Sequence, residues 1–352
     1  MSSPIEQQHP NSDRGGSVPS TMTAAVYSRF GGPDVVSIAR RPTPRPRSGE
    51  VLVKVHAATV SAADHRARAK DIPRGLRTLS SFTLGFSTPR RPVLGMDIAG
   101  VVVAVGAEVT RYRPGDAVIA MLGARFGGHA EYAIVPEGAA IARKPEGLGF
   151  EDAAALVFGG VTAQAFLARA GLSSGAAVLV NGASGAVGTA AVQLAQSAGA
   201  IVTAVTSGAN ADLVRSLGAQ RMIDHTRTDF VNDDATYDVI VDCVGNVPFA
   251  HLEPLIRPGG ALLSVITDLR GMLSAGLRAR RSGKRVIAGN VPYRSVDLAH
   301  VARLAEEGRF RPVVERVLDL ADIAEAHRRV DTGRKRGNVV VRIAGSDTAE
   351  RA

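Results

Sequence analysis

Apolar and polar positions alternate with two different periods along this chain. Up to about residue 145 the apolar runs are short and strand-like. TMTAAVYSRF (21–30), VLVKVHAATV (51–60), IAGVVVAVGAEV (98–109) and the apolar runs in RPGDAVIAM and GGHAEYAIVP each predict a strand, with Gly and Pro turns between them. ARRPTPRPRSGE (39–50) predicts a loop, because its prolines exclude a central strand. Residues 61–92 predict a short helix and a basic loop. Near residue 150 the pattern changes. EDAAALVFGGVTAQAFLARA is an alanine-rich helical stretch, and AVLVN (177–181), IVTAVT (201–206), YDVIVDCVG (237–245) and GGALLSVI (259–266) are strands separated by helices. Val187, Ala191, Leu194, Ala195 and Ala198 share one helix face. ANADLVRSLGA predicts a helix closed by Gly218. Beyond residue 288 the order is helix, strand, helix, strand. The chain therefore reads as an α/β protein, a β-rich unit joined to βαβ units on a parallel sheet. Residues 1–20 are polar and predict a disordered tail without the apolar core of a signal peptide.

The sharpest local signal is VLVNGASGAVGTAAVQLA (178–195). Ala183-x-Gly185-x-x-Gly188 follows a strand and opens a helix, the context a dinucleotide-binding turn requires. Gly185 lets the backbone approach a pyrophosphate, and Gly188 lets the helix pack on the strand. Ser184, Ala186 and Val187 complete the loop, whose helix N-terminus offers free N–H groups to phosphate. At the end of the next strand, Thr206-Ser207-Gly208 holds no carboxylate to bind the ribose 2′-hydroxyl of NAD. Ser207 can donate to a 2′-phosphate instead, so NADP(H) is the expected cofactor. Ser207 and Asn210 are equally suited to capping the helix that follows.

Composition adds two facts. The single cysteine, Cys243, excludes an intramolecular disulfide and multi-cysteine zinc sites, and points to a reducing, cytoplasmic location. The net charge of +9 is local. Arg66, Arg68, Lys70, Arg74, Arg77, Arg90 and Arg91 face only Asp71 within 66–91, and Arg270, Arg278, Arg280, Arg281, Lys284 and Arg285 face no acid within 270–285. Few aromatics lie among them to stack on bases, Phe82 and Phe86 being the candidates, which argues against nucleic acid. No apolar run reaches the ~18 residues of a membrane helix, so no membrane partner is expected.

LGMDIAGVVVAVGAEVTRYRPGDAVIAM, GGHAEYAIVP, VTAQAFL, NGASGAVGTAAVQLAQSAGA, SLGAQRMIDH, DVIVDCVG, RPGGALLSV and GRFRPVV follow one another in an order that resembles the medium-chain dehydrogenase/reductase superfamily. The likeness runs from about Met22 to Ile343 and is greatest to its zinc-free quinone oxidoreductase and enoyl reductase branch. It implies a GroES-like catalytic domain (21–145 and 290–346) around a Rossmann domain (146–289), with NADP(H) in the cleft between them. Zinc-dependent relatives place a Cys within the segment matching Thr59–Asp64 and a His-Glu pair within that matching Gly95–Gly100. This chain has Ser61 and Met96-Asp97 there, which are not a zinc ligand set.

By the same resemblance, Ser61 and Asp64 are the candidate catalytic residues. Thr162 would contact the nicotinamide region, His225 would lie near the adenosine, and Val244, Gly245 and Ile266 would line the cofactor at the ends of the parallel strands. Asp64 is equally suited to capping a helix. The Tyr and Lys that some relatives carry near Arg66 and at Asn338 are missing. The expected activity is hydride transfer to a quinone or an α,β-unsaturated carbonyl. A trans-acting enoyl reductase that meets an acidic carrier protein through the basic segments is an alternative, and so is a non-catalytic NADPH-sensing or RNA-binding protein. The resemblance also implies a homodimer formed along the Rossmann sheet edge.

Overall fold

The computed structural model describes residues 18–289 and 291–343. Most of the tail expected at 1–20, and residues 344–346 of the return segment, lie outside the described residues. β1 (Thr21–Tyr27) and β2 (Val36–Pro42) form an antiparallel pair. β2 takes in Ala39–Pro42, which the prolines had assigned to a loop. Pro42 closes the strand in a two-stranded sheet, where a missing N–H costs no central ladder bond.

Next come β3 (Glu50–Val60), α1 (Ala62–Ala69), α2 (Arg77–Leu84), β4 (Asp97–Val105), β5 (Ala117–Met121), β6 (Tyr132–Pro136) and β7 (Ala140–Arg143). The long helix α3 (Phe150–Ala170) leads to β8 (Ala177–Asn181), α4 (Ala186–Ser197), β9 (Ile201–Thr206), α5 (Ala211–Ser216), β10 (Arg221–Asp224), β11 (Tyr237–Asp242), α6 (Phe249–Leu252), β12 (Ile256–Ser264), α7 (Leu269–Ser282) and β13 (Arg285–Ala288). The chain ends with α8 (Ser295–Glu306), β14 (Val314–Asp319), α9 (Ile323–Asp331) and β15 (Asn338–Arg342).

Two larger sheets organise these elements. β8 to β13 form a six-stranded parallel sheet in the order β10-β9-β8-β11-β12-β13. This is a doubly wound order, and it reverses between β8 and β11, where such sheets open a crevice for ligands. The other sheet runs β14-β15-β3-β4-β5-β7, with β6 paired to β3, so β14 and β15 return to complete the N-terminal sheet.

α3 joins the two units. By length and apolar composition it could cross a membrane, but 78% of its apolar window is buried in the protein, and it is a core helix. Gly159 lets it approach the start of α4, since a Cβ there would sit 2.3 Å from the Ala186 carbonyl oxygen. One core packs α3 and α4 on the parallel sheet, through Leu156, Phe166, Val178, Val180, Val192 and Leu263. A second fills the N-terminal sheet, through Val53, Val55, Ile98, Val118, Val135 and Val339.

Candidate active site

The turn after β8 is built around three glycines with different duties. Gly182 has φ +77°, the left-handed region that favours glycine, and a Cβ there would also press Val244. Gly188 packs α4 on the strand end, where a Cβ would lie 2.1 Å from the Gly182 carbonyl oxygen. Gly185 is different. Its φ is −79°, open to any residue, and a Cβ would meet only the Gly182 oxygen, at 3.6 Å. Packing within the protein does not require glycine at 185, whereas close approach of a ligand does. No side chain caps α4, so its first-turn N–H groups are open to an anion.

This loop forms one wall of a cleft of about 1460 Å³. Of the residues expected at the cofactor, Ser184, Gly185, Ala186, Val187, Gly188, Thr162, Ser207, His225, Val244 and Ile266 line it. Ala183 is fully buried, and Gly245, at φ +74°, turns beneath Ile266. The turn after β11 is held by Asp242, whose Oδ1 accepts from Val244 N (3.1 Å), Gly245 N (3.0 Å) and Asn181 Nδ2 (2.9 Å). Thr206 Oγ1 is buried without a hydrogen-bond partner among the described residues, and the Thr162 hydroxyl is buried beside that of Tyr293. Both threonines line the cleft, and Thr206 is an unsatisfied group that a polar ligand would complete.

The two candidate catalytic residues are placed elsewhere. Ser61 and Asp64 form a capping box on α1 and do not line the cleft. Asp64 Oδ2 accepts from Ser61 N at 2.8 Å and from Ser61 Oγ at 2.6 Å, while its Oδ1 accepts from Gly95 N at 2.8 Å. Both side chains are buried and hydrogen-bond within this anchor, which ties the start of α1 to the Gly95 backbone. Asp97 is buried beside them and accepts from Thr59 N at 2.8 Å and Thr59 Oγ1 at 2.7 Å. Among the described residues no group of three or more His, Cys, Asp or Glu is arranged to hold a metal ion.

Burial pushes the Asp97 carboxyl up to about 7, against the pull of its Thr59 hydrogen bonds. The folded state then binds a proton that the unfolded chain, with an aspartate value of about 3.9, has released. Stability therefore falls as pH rises from about 4 to 7, by at most ~1.4 kcal/mol per pH unit from this group. Asp97→Asn keeps the shape without the ionisation. Its stability relative to wild type should climb across that window in denaturant titrations, and parallel curves would contradict the assignment.

Several cleft residues escaped the sequence reading. Asn338, where a lysine was noted missing, is buried and pins β15, with Nδ2 donating to the Ala155 and Val313 carbonyls, both at 3.1 Å. Lys335 lines the cleft instead. Its Nζ donates to the Gly337 carbonyl at 2.5 Å, and Gly337 N donates to the Ser184 carbonyl at 2.8 Å, so this loop is stitched onto the glycine turn. Burial lowers the Lys335 ammonium to about 8, opposed in part by Glu315 and Asp97. Arg66, half-buried, and Tyr293, its hydroxyl raised by burial, stand on the same cleft with Met96 and Phe158. The only early signal for Lys335 was its place in the basic run RKRG (334–337), which reads equally well as a solvated turn.

Comparison with known proteins agrees with this architecture. Residues 47–146 match the alcohol dehydrogenase GroES-like domain, and residues 217–341 match a domain described as zinc-binding dehydrogenase. The chain is 32% identical to 2-methylene-furan-3-one reductase of Solanum lycopersicum, over 92% of this chain and 80% of that protein. It is 29% identical to the chloroplastic quinone-oxidoreductase QR1 of Triphysaria versicolor, over 91% and 98%. The solved quinone oxidoreductase of Coxiella burnetii superposes with a TM-score of 0.82 at 27% identity, covering 92% of this chain and all of that one (100%). With its GroES-like sheet, doubly wound parallel sheet and glycine turn between them, the chain belongs to the medium-chain dehydrogenase/reductase superfamily, alongside the quinone oxidoreductases and enoyl reductases.

Proposed function

We propose that this protein is a zinc-independent, NADPH-dependent reductase of quinones or α,β-unsaturated carbonyls. The observation that carries the reading is the cleft end formed by Met96, Phe158, Thr162 and Tyr293, beside the glycine turn. Its walls are apolar, and its polar groups are hydroxyls and cations rather than metal ligands. When bound, the nicotinamide supplies the hydride. The chain's own groups then have defined tasks. The α4 N-terminus and the Lys335 ammonium hold the phosphates. The Thr162 hydroxyl, paired with that of Tyr293, faces the nicotinamide end. Tyr293 and Arg66 offer donors to a substrate oxygen that gains negative charge, a kind of contact typically worth ~2.7–4 kcal/mol.

NADPH over NADH is supported at the end of β9. Ser207, Asn210, His225 and Arg227 line that part of the cleft. Asp224, at the end of β10, is occupied by Thr226 Oγ1 at 2.7 Å and lies 3.8 Å from Arg227, and Asp229 on the cleft wall accepts from Val231 N at 3.3 Å. Cys243 is half-buried on the cleft wall with its thiol raised by burial, which suits a packing role in a reducing compartment such as the cytoplasm. The edge strands β10 and β13 leave the parallel sheet open to a second copy, in line with the homodimer expected from sequence.

Two experiments test this reading. In an NADPH-oxidation screen over quinones, enones and enoyl thioesters, we expect turnover with the first two, a lower KM for NADPH than for NADH, and no loss after dialysis against a chelator. No oxidation with any acceptor would overturn it. In the second, Lys335→Met should weaken NADPH binding on the order of tenfold, as one charge-assisted hydrogen bond predicts. The wild-type KM for NADPH should rise above pH 8 as Lys335 loses its proton, and the variant's should not. A wild-type profile flat to pH 9 would remove Lys335 from the cofactor site.

A further inference from the structure

We infer that the junction of α2 and α7 is a docking face for an anionic membrane surface, set at the mouth of the cleft. The two basic segments, far apart in sequence, meet there. Leu269 N donates to the Arg74 carbonyl at 3.1 Å, and a Cβ on Gly75 would lie 2.8 Å from Leu269 Cβ. Both helices start from this contact, α2 at Arg77 and α7 at Leu269. Pro73 and Leu76 before α2 and Met272 in the first turn of α7 line the cleft, so the junction borders its opening.

The face combines free cations with protruding apolar side chains. Arg74, Arg77, Arg91, Arg270, Arg280 and Arg281 are exposed, and none has a hydrogen-bonding or ion-pair partner for its guanidinium among the described residues. Of the nearby acids, Asp268 is spent capping α7 through Gly271 N at 2.7 Å, and Asp71 faces His65 at 3.5 Å. Between the arginines stand Leu79 (65% exposed), Phe82 (58%) and Phe86 (56%) on or just after α2, and Leu273 (77%) and Leu277 (51%) on α7. Leu273 and Leu277 are one turn apart on one helix face, while Gly271 and Ala275 are buried.

Apolar tips interleaved with cations are the pattern of helices that lie in a lipid interface. The core of a protein–protein interface is instead depleted of charge. The attraction is electrostatic plus a shallow apolar insertion, and no segment needs to span the bilayer. Resting on the reductase reading, this placement would deliver a membrane-dissolved quinone or enal straight into the cleft.

The test uses the full chain and vesicles of phosphatidylcholine with or without phosphatidylglycerol. Sedimentation should carry the protein down with the anionic vesicles, weakly with the neutral ones, and less as salt rises. Arg280→Gln with Arg281→Gln should lower the partition coefficient about thirtyfold, on the order of fivefold per charge. Leu273→Ser with Leu277→Ser should lower it at least about tenfold. Both double variants should oxidise NADPH with a water-soluble quinone at the wild-type rate. Vesicle binding is read without turnover, so it stands even if the reductase reading fails. Failure to sediment with anionic vesicles would overturn the inference. So would variants that bind like wild type, or capture of an acidic holo-acyl carrier protein by this face without vesicle binding.

Discussion

Gly185→Val abolishes dinucleotide binding and leaves the thermal midpoint of the protein unchanged. This is the sharpest consequence of the glycine turn. The backbone at 185 is extended, and a Cβ meets only one atom, at an ordinary 3.6 Å, so nothing in the folded protein resists a branch at Cα there. A valine would fill the space over the α4 N-terminus where a pyrophosphate must come within hydrogen-bond reach. Gly188→Ala serves as the opposite control. Its Cβ would lie 2.1 Å from the Gly182 oxygen and 2.7 Å from Ala183 Cα, so backbone must move, at a cost of ~1–3 kcal/mol or more. NADPH fluorescence titration, unobscured because the chain has no tryptophan, reads the first effect, and thermal melts read both. A Gly185→Val protein that binds NADPH normally, or melts as early as Gly188→Ala, would refute the division of labour.

The second large effect concerns stability. Arg68 is fully buried and ties α1 to α9 and to the segment after β1. It donates to both carboxylate oxygens of Asp331 at 2.6 Å, to the Gly31 carbonyl at 2.5 Å and to His327 Nδ1 at 3.3 Å. Asp331→Ala leaves this guanidinium buried beside no carboxylate and should cost ~3–5 kcal/mol. Combining it with Arg68→Met, which removes the charge but keeps the apolar stem, should recover much of that loss. Denaturant melts of the single and double variants measure the difference, and equal losses would show that the pair is not the reason. His327 sits against this cluster, and burial, followed by His129 and Arg68, holds it well below the usual histidine range. Below about pH 6.5 the unfolded histidine takes up a proton that the folded one refuses. Stability from this group is therefore full above that pH and is lost as pH falls.

The fold was legible where local pattern and tertiary demand agree. AVLVN, IVTAVT and NVVVRIA are runs that a buried sheet requires, and each is a strand. The glycine turn was legible for the same reason, since strand, turn and helix follow within a few residues. β7, β10 and β13 were missed because four-residue strands at Ala140, Arg221 and Arg285 carry too little periodicity to register. The bounds of α7 were not legible because Gly271 and Gly276 interrupt its apolar pattern. The glycine of the tight turn lies just before the motif as read from the sequence. Ala183 begins the motif, but Gly182 supplies the positive φ. The site itself was less legible, because it is assembled from remote segments. Ser61 and Asp64 face inward in a capping box, a possibility open for Asp64 from the start. Lys335 reaches the glycine turn only because β15 returns beside β3. Likewise, the exposed arginines of the two basic segments come together only through the contact of Arg74 with Leu269.

The most direct measurement follows a label. NADPH carrying deuterium at C4 of the nicotinamide is mixed with chelator-treated enzyme and an enone, and the product is analysed by mass spectrometry and NMR. Zinc-independent reduction of the activated alkene predicts deuterium on the β-carbon of a saturated ketone, at a rate indifferent to added zinc. Deuterium on the carbonyl carbon of an alcohol, or label transfer only after zinc is restored, would contradict it.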